Sequence, residues 1–184
     1  MKQYMVKSMD PIMEDMNLSV NRNPDVDMVR DALPASLVQL DGFITSAPND
    51  KLLIRAAEAN FGYSYSFVED ENKERASFLY LKARDYALRP LMKNGAFRES
   101  FKETPDRFKE SLAGFGKGDV PALYWTANSW MAWAGLNVNN PEVLVDIPKI
   151  EAMLLKVVEL DETYYYGGAH AALGAYYASR AKAI

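Results

Sequence analysis

The sequence has 184 residues, no cysteine, a single histidine (His170) and a formal net charge of −4. These counts remove disulfide frameworks, thiolate zinc sites, iron–sulfur clusters, cysteine nucleophiles and every multi-histidine metal centre. With 25 acidic residues against 21 basic ones, the chain lacks the basic face that nucleic-acid phosphates require.

Hydrophobic residues make up 49% of the chain and charged residues 25%, the balance of one globular domain that buries its own core. No stretch reaches the roughly 18 apolar residues of a membrane span. The opening MKQYMVKSMD has no apolar segment of secretory-signal type.

Helical periodicity runs through the chain. Met5, Met9, Ile12, Met13, Met16 and Val20 fall on one side of a first helix, opposite Lys7, Asp10, Glu14 and Asn17. The methionine stripe reads as core, with an adaptable binding surface as the alternative. Pro11 predicts a bend or a restart capped by Asp10. Asn23-Pro24-Asp25 predicts a second helix with Asn23 as cap, burying Val29, Leu33, Leu37, Leu40 and Ile44 and kinked at Pro34.

A third helix spans about residues 51–68 and mixes Ala56, Ala57, Ala59 and Gly62 with Leu52, Leu53, Phe61, Tyr63 and Phe67. Its interior glycine costs about 1 kcal/mol of propensity, which a close helix–helix approach would offset. After a charged turn at 69–73, a fourth helix to Leu91 turns Ala76, Leu79, Tyr80, Ala83 and Ala87 inward. Thr104-Pro105-Asp106 starts a short helix that Gly114 stops. The glycine-rich run 114–119 follows no strand and fits no phosphate-loop spacing.

Asp119-Val120-Pro121 opens an aromatic helix, ALYWTANSWMAWAGL, with bulky side chains all round. Such a helix is either enclosed in a core or lines a cavity. Asp146-Ile147-Pro148 opens the next helix, with Ile147, Ile150, Leu154 and Val157 inward and Lys149, Lys156 and Glu159 in water. A last helix runs from about Tyr165 to Ile184. With no sustained strand alternation, the expected class is all-α, built of antiparallel helical hairpins.

Two hairpins look related: Ala59-Asn60 parallels Ala127-Asn128, and Leu81-Lys82-Ala83 parallels Leu155-Lys156-Val157. His170-x-x-Leu173-Gly174-x-x-Tyr177 has the spacing of the tetratricopeptide signature W-x2-L-G-x2-Y, with His170 in the tryptophan place. The expected organisation is a single tetratricopeptide-like superhelix over 1–184: an N-terminal pair 1–47, hairpins 49–92 and 119–161, and a final helix 164–184. First helices form the concave face of such a stack. A ligand or partner cleft is therefore expected from Tyr124, Trp125, Asn128 and Trp133, with Tyr63 and Tyr65 from the earlier hairpin and Tyr166 and His170 from the last helix. No G-x-S-x-G elbow equips His170 for catalysis, and Asp161-Glu162 reads as helix-end charge rather than a cation site.

The strings VRDALPASLVQLDGFI (29–44), LYLKARDYALRPL (79–91), DVPALYWTANSWMAWAGL (119–136) and YYYGGAHAALGAYYASR (164–180) resemble the T component of TRAP transporter systems, in order and spacing. That resemblance implies a non-catalytic, cofactor-free periplasmic protein with a lipid anchor on a cysteine upstream of Met1. It also implies association with the solute-binding P component, a possible homotrimer, and a hydrophobic channel or cleft open to a small hydrophobic or organic-acid ligand. The competing expectation is a generic tetratricopeptide-type scaffold that holds a peptide or helix of another protein. Family members usually continue beyond the YYAS helix with further helices.

Overall fold

Helices begin where a short polar side chain can take the first free backbone N–H groups, and the computed structural model, which describes residues 1–181, shows these caps in series. Asp25 accepts from Met28 N, Asn49 from Leu52 N, Asn72 from Arg75 N, Asn94 from Phe97 N and Thr104 from Arg107 N. Each such cap contributes about 1 kcal/mol. The resulting elements are α1 (Lys2–Ser8), α2 (Asp10–Arg22), α3 (Val26–Ser46), α4 (Asp50–Tyr63), α5 (Lys73–Leu91), α6 (Gly95–Ser100), α7 (Pro105–Ser111), α8 (Val120–Leu136), α9 (Pro141–Asp161) and α10 (Tyr164–Ala181). A π-turn, Ser64–Val68, extends α4. No strand occurs among the described residues, so the fold is all-α and built of helical hairpins. The last residues of the expected final helix, 182–184, lie outside the described residues.

Three helix starts differ from expectation. Asn23 does not cap α3: its Oδ1 accepts from Asp25 N at 2.9 Å, closing a local turn, and the cap passes to Asp25. α9 begins at Pro141, and Pro148 lies inside it. Pro148 removes only the hydrogen bond to the carbonyl four residues back, that of the exposed Leu144, where water can replace it. Pro34 likewise sits inside α3, which continues to Ser46. At the N-terminus, Asp10 is the first residue of α2 rather than its cap.

The layers follow from which helices carry small or apolar faces. α5 packs against α4 and α8, α8 against α9, and α9 against α10. Ala76, Ala83 and Ala87 of α5 and Ala56 and Ala57 of α4 are fully buried, and they bring these helices close. Gly62 does not do this: a Cβ placed there would meet nothing within 4 Å. The expected close approach is made by alanines instead.

α8 is the centre. Val120, Leu123, Tyr124, Trp125, Ala127, Trp130 and Ala134 are all buried, on every side of the helix. The irregular segment between α5 and α8 supplies an aromatic plug against it. Phe97 meets Phe108 and Phe115 at 5.2 and 5.1 Å between ring centroids, and Phe101 stacks on Trp130 at 5.5 Å.

This plug also corrects one expectation about charge. Lys149, expected in water, is 5% exposed; its Nζ donates to the Phe101 carbonyl at 2.8 Å and lies over the Phe108 ring. Lys156 is half-buried and paired with Glu159. The methionine stripe is only partly covered: Met13 is buried and Met9 and Val20 are half-buried, while Ile12 and Met16 are exposed. The side chains of Met5 and Lys7 lie outside the described ones.

Phe97 is wholly buried at the hub of the plug. Phe97→Ala is expected to cost about 3–5 kcal/mol, the loss typical of a large core aromatic; denaturant unfolding at unchanged m-value measures it.

Candidate functional site

The π-turn after α4 points Tyr65 into a groove. Phe61 and Tyr65, one helical turn apart, stack with ring centroids 6.0 Å apart and an interplanar angle of 8°. Both line a groove of about 890 Å³, whose floor includes Asn128 and Met131 of α8 and whose walls include Ala172 and Tyr176 of α10 and Ile147 of α9. The surface is mainly apolar, and the charged side chains among its described lining residues are both carboxylates, Glu69 and Glu151. Glu69 accepts from the Tyr80 hydroxyl and Glu151 from the Tyr177 hydroxyl at 2.6 Å.

Of the eight residues that the sequence suggests for a cleft, the structure brings Tyr65 and Asn128 together in this groove. Tyr63, two residues before Tyr65, emerges on the opposite side of its helix. It is buried near Leu37 and Phe67, with the Arg75 guanidinium 5.6 Å from its ring. Tyr124 and Trp125 are core residues, 3% and 1% exposed. Trp133 is half-buried between two core clusters.

Tyr166 is fully exposed, its ring 6.0 Å from that of Tyr165. His170 is exposed, with Nε2 3.6 Å from a Glu162 oxygen. Asp161 is held below the usual carboxylate range by the Thr163 hydroxyl, with Lys117 3.6 Å away. Among the described residues no group of three or more histidines or carboxylates is placed to hold a metal ion.

Phe61, Met131, Ala172 and Tyr176 were not singled out in the sequence. Their signal is spacing alone: 61 and 65, 128 and 131, and 172 and 176 are same-face pairs on their helices. The tetratricopeptide-type residues behave unevenly. Leu173 is buried, Gly174 has open space around it, and Tyr177 is 44% exposed.

The tight glycine is Gly168, where a Cβ would overlap the Tyr124 hydroxyl and lie 2.7 Å from its Cζ. Tyr124 is thereby seated against the start of α10, with Tyr164 and Tyr165 at 5.4 and 5.6 Å. Burial pushes the phenols of Tyr124 and Tyr165 up, and that of Tyr164 up to about 12, so the cluster is neutral at ordinary pH.

The turn that delivers this cluster is left-handed. Tyr165, Tyr166 and Gly167 have φ of 49°, 58° and 73°. For a tyrosine this conformation costs about 1–2 kcal/mol; regular helix resumes at Gly168.

Two stability changes follow. Gly168→Ala is expected to lose about 1–3 kcal/mol through overpacking against Tyr124. Tyr166→Asn, which tolerates positive φ and removes no buried contact, is expected to gain about 0.5–1 kcal/mol. Thermal unfolding of both variants beside the parent protein checks each sign.

Comparison with known proteins bears on the same helices. A family model described as TRAP transporter T-component matches residues 22–184, from the end of α2 through α10. No curated protein matches the chain. With so much of its length matched, the chain belongs to the TRAP transporter T-component family.

Proposed function

We propose that the chain acts as the non-catalytic accessory subunit of a periplasmic TRAP transport system and binds the solute-binding P component through the groove between α4, α8, α9 and α10. The observation that carries this reading is the groove itself, an open, mainly apolar surface on a family member. Exposed apolar concavities of this size mark binding surfaces.

Its chemistry favours protein side chains over a carboxylate solute. An organic acid brought beside Glu69 and Glu151 meets like charge, and neither carboxylate is neutralised by a described lining cation. Apolar side chains flanked by lysine or arginine on the partner suit it better. On this reading the transported acid stays with the P component, and the T subunit contributes docking and orientation. The periplasmic site, lipid tether and homotrimer belong to the same reading. No helix among the described residues is long and apolar enough to cross a membrane, so the tether would supply membrane attachment.

Met131→Glu and Ala172→Arg both place charge in the groove. Each is expected to weaken P-component binding by at least about tenfold, the cost of desolvating an unpaired charge; because both residues pack in part against the core, binding is compared at a temperature where each variant is folded by circular dichroism. Exposed His170 supplies the neutral control, His170→Gln. Native mass spectrometry of the protein with its P component reads binding, trimer formation and any retained small molecule. Undiminished binding by both groove variants would exclude the groove as the docking surface.

A further inference from the structure

The methionine stripe of α2 is not part of the groove, yet it borders a cavity. Between α2, α3 and α4 lies a space of about 190 Å³ that shares no lining residue with the groove. Met9, Met13 and Met16 form one wall, and Leu40 and Phe43 of α3 the other. Its α2 wall lies before the matched family residues, except for the end of the helix.

We infer that this cavity is a binding site for a small one-ring aromatic molecule that bears a hydroxyl or amine and no negative charge. Size is the first argument. Benzene fits an engineered apolar cavity of about 150 Å³, so the slightly larger space here, open to solvent on one side, has room for a ring with a short substituent. Lining is the second: thioethers make favourable contacts with ring edges and adapt to irregular shapes. Met16, which is 54% exposed, lines the cavity and still reaches solvent, which gives a ligand a flexible way in.

The polar edge sets the substituent. Glu58 and Gln39 face the cavity. The Glu58 carboxyl is raised by burial and lowered in smaller measure by a hydrogen bond with Asn17 and by Arg55. Its oxygens accept from a hydroxyl or amine, and it offers a carboxylate no positive charge. Arg55, the cation at this edge, is committed elsewhere: its Nη2 donates to Glu14 Oε1 at 2.8 Å and to the Asp10 carbonyl at 3.2 Å. Those bonds tie α2 to α4, and the Glu14 carboxylate balances the Arg55 charge, so this edge offers an anionic ligand no net positive charge.

Methionine methyl NMR tests this on the full chain, which has nine methionines. With benzyl alcohol, the methyls of Met9, Met13 and Met16 are expected to shift saturably with a midpoint of about 1 mM, the scale for so small a ligand, while Met131 in the groove stays put. Benzoate at the same concentrations should give no saturable shift. Ala59→Leu, which adds three carbons at the cavity wall, should weaken benzyl alcohol binding at least tenfold; Ser36→Leu serves if that variant does not fold. Absence of any shift, an equal shift of Met131, or benzoate binding as tight as benzyl alcohol overturns the proposal. The P component takes no part, so the result is independent of the docking groove.

Discussion

The structure depends on a helix that is buried on nearly every side, with the strip at Asn128 and Met131 open to the groove. α8 carries tyrosine, tryptophan, leucine and valine around its whole circumference, and its middle is almost entirely buried. Burying one large apolar side chain is worth roughly 1.5–3 kcal/mol, so exposing any face of α8 would be costly. That constraint recruits the neighbours. The alanine face of α5 lies on one side, α9 on another, the phenylalanine plug of α6 and α7 covers Trp130, and the start of α10 closes over Tyr124. α4, α9 and α10 each pack against α8, and between them a concave strip of it stays uncovered as the groove.

Much of this architecture is readable from residue spacing. Thr104 marks a helix start that the structure keeps, and the buried faces of α3 and α5 follow their 3.6-residue period. The misses have local causes. Asn23 and Asp25 both suit a cap, and only the turn geometry decides between them. Pro148 looks like a helix start because a proline favours the first turn, but it is also tolerated where the freed carbonyl faces solvent. Lys149 is hydrophilic by type; its burial depends on a plug that is distant in sequence and irregular in period.

The cleft was less legible, for a geometric reason. Residue type marks tyrosines and tryptophans as a group, while burial separates them by angle around the helix. Tyr63 and Tyr65 differ by about 200° at 100° per residue, so they cannot share a surface. The bulkiest aromatics went to the core, where area matters most, and the groove was left to Phe61, Met131, alanines and two tyrosines. Glycine misled in the same way. Gly62 and Gly174 sit in open space, and the glycine pressed hardest against a neighbour is Gly168, which no repeat signature distinguishes from the glycine before it.

The left-handed turn at Tyr165, Tyr166 and Gly167 has a wider consequence. It sits inside the first turn of α10 and works as a crank: changing its dihedral angles would swing the helix that resumes at Gly168 as an arm. One wall of the groove is α10, so the direction of that wall depends on three backbone positions outside the groove lining, of which Tyr165 also packs on Tyr124 and Trp125 of α8. Changes at Tyr166 and Gly167 would redirect this wall without touching the groove lining, whereas a change at Tyr165 would also remove its contacts with Tyr124 and Trp125 of α8.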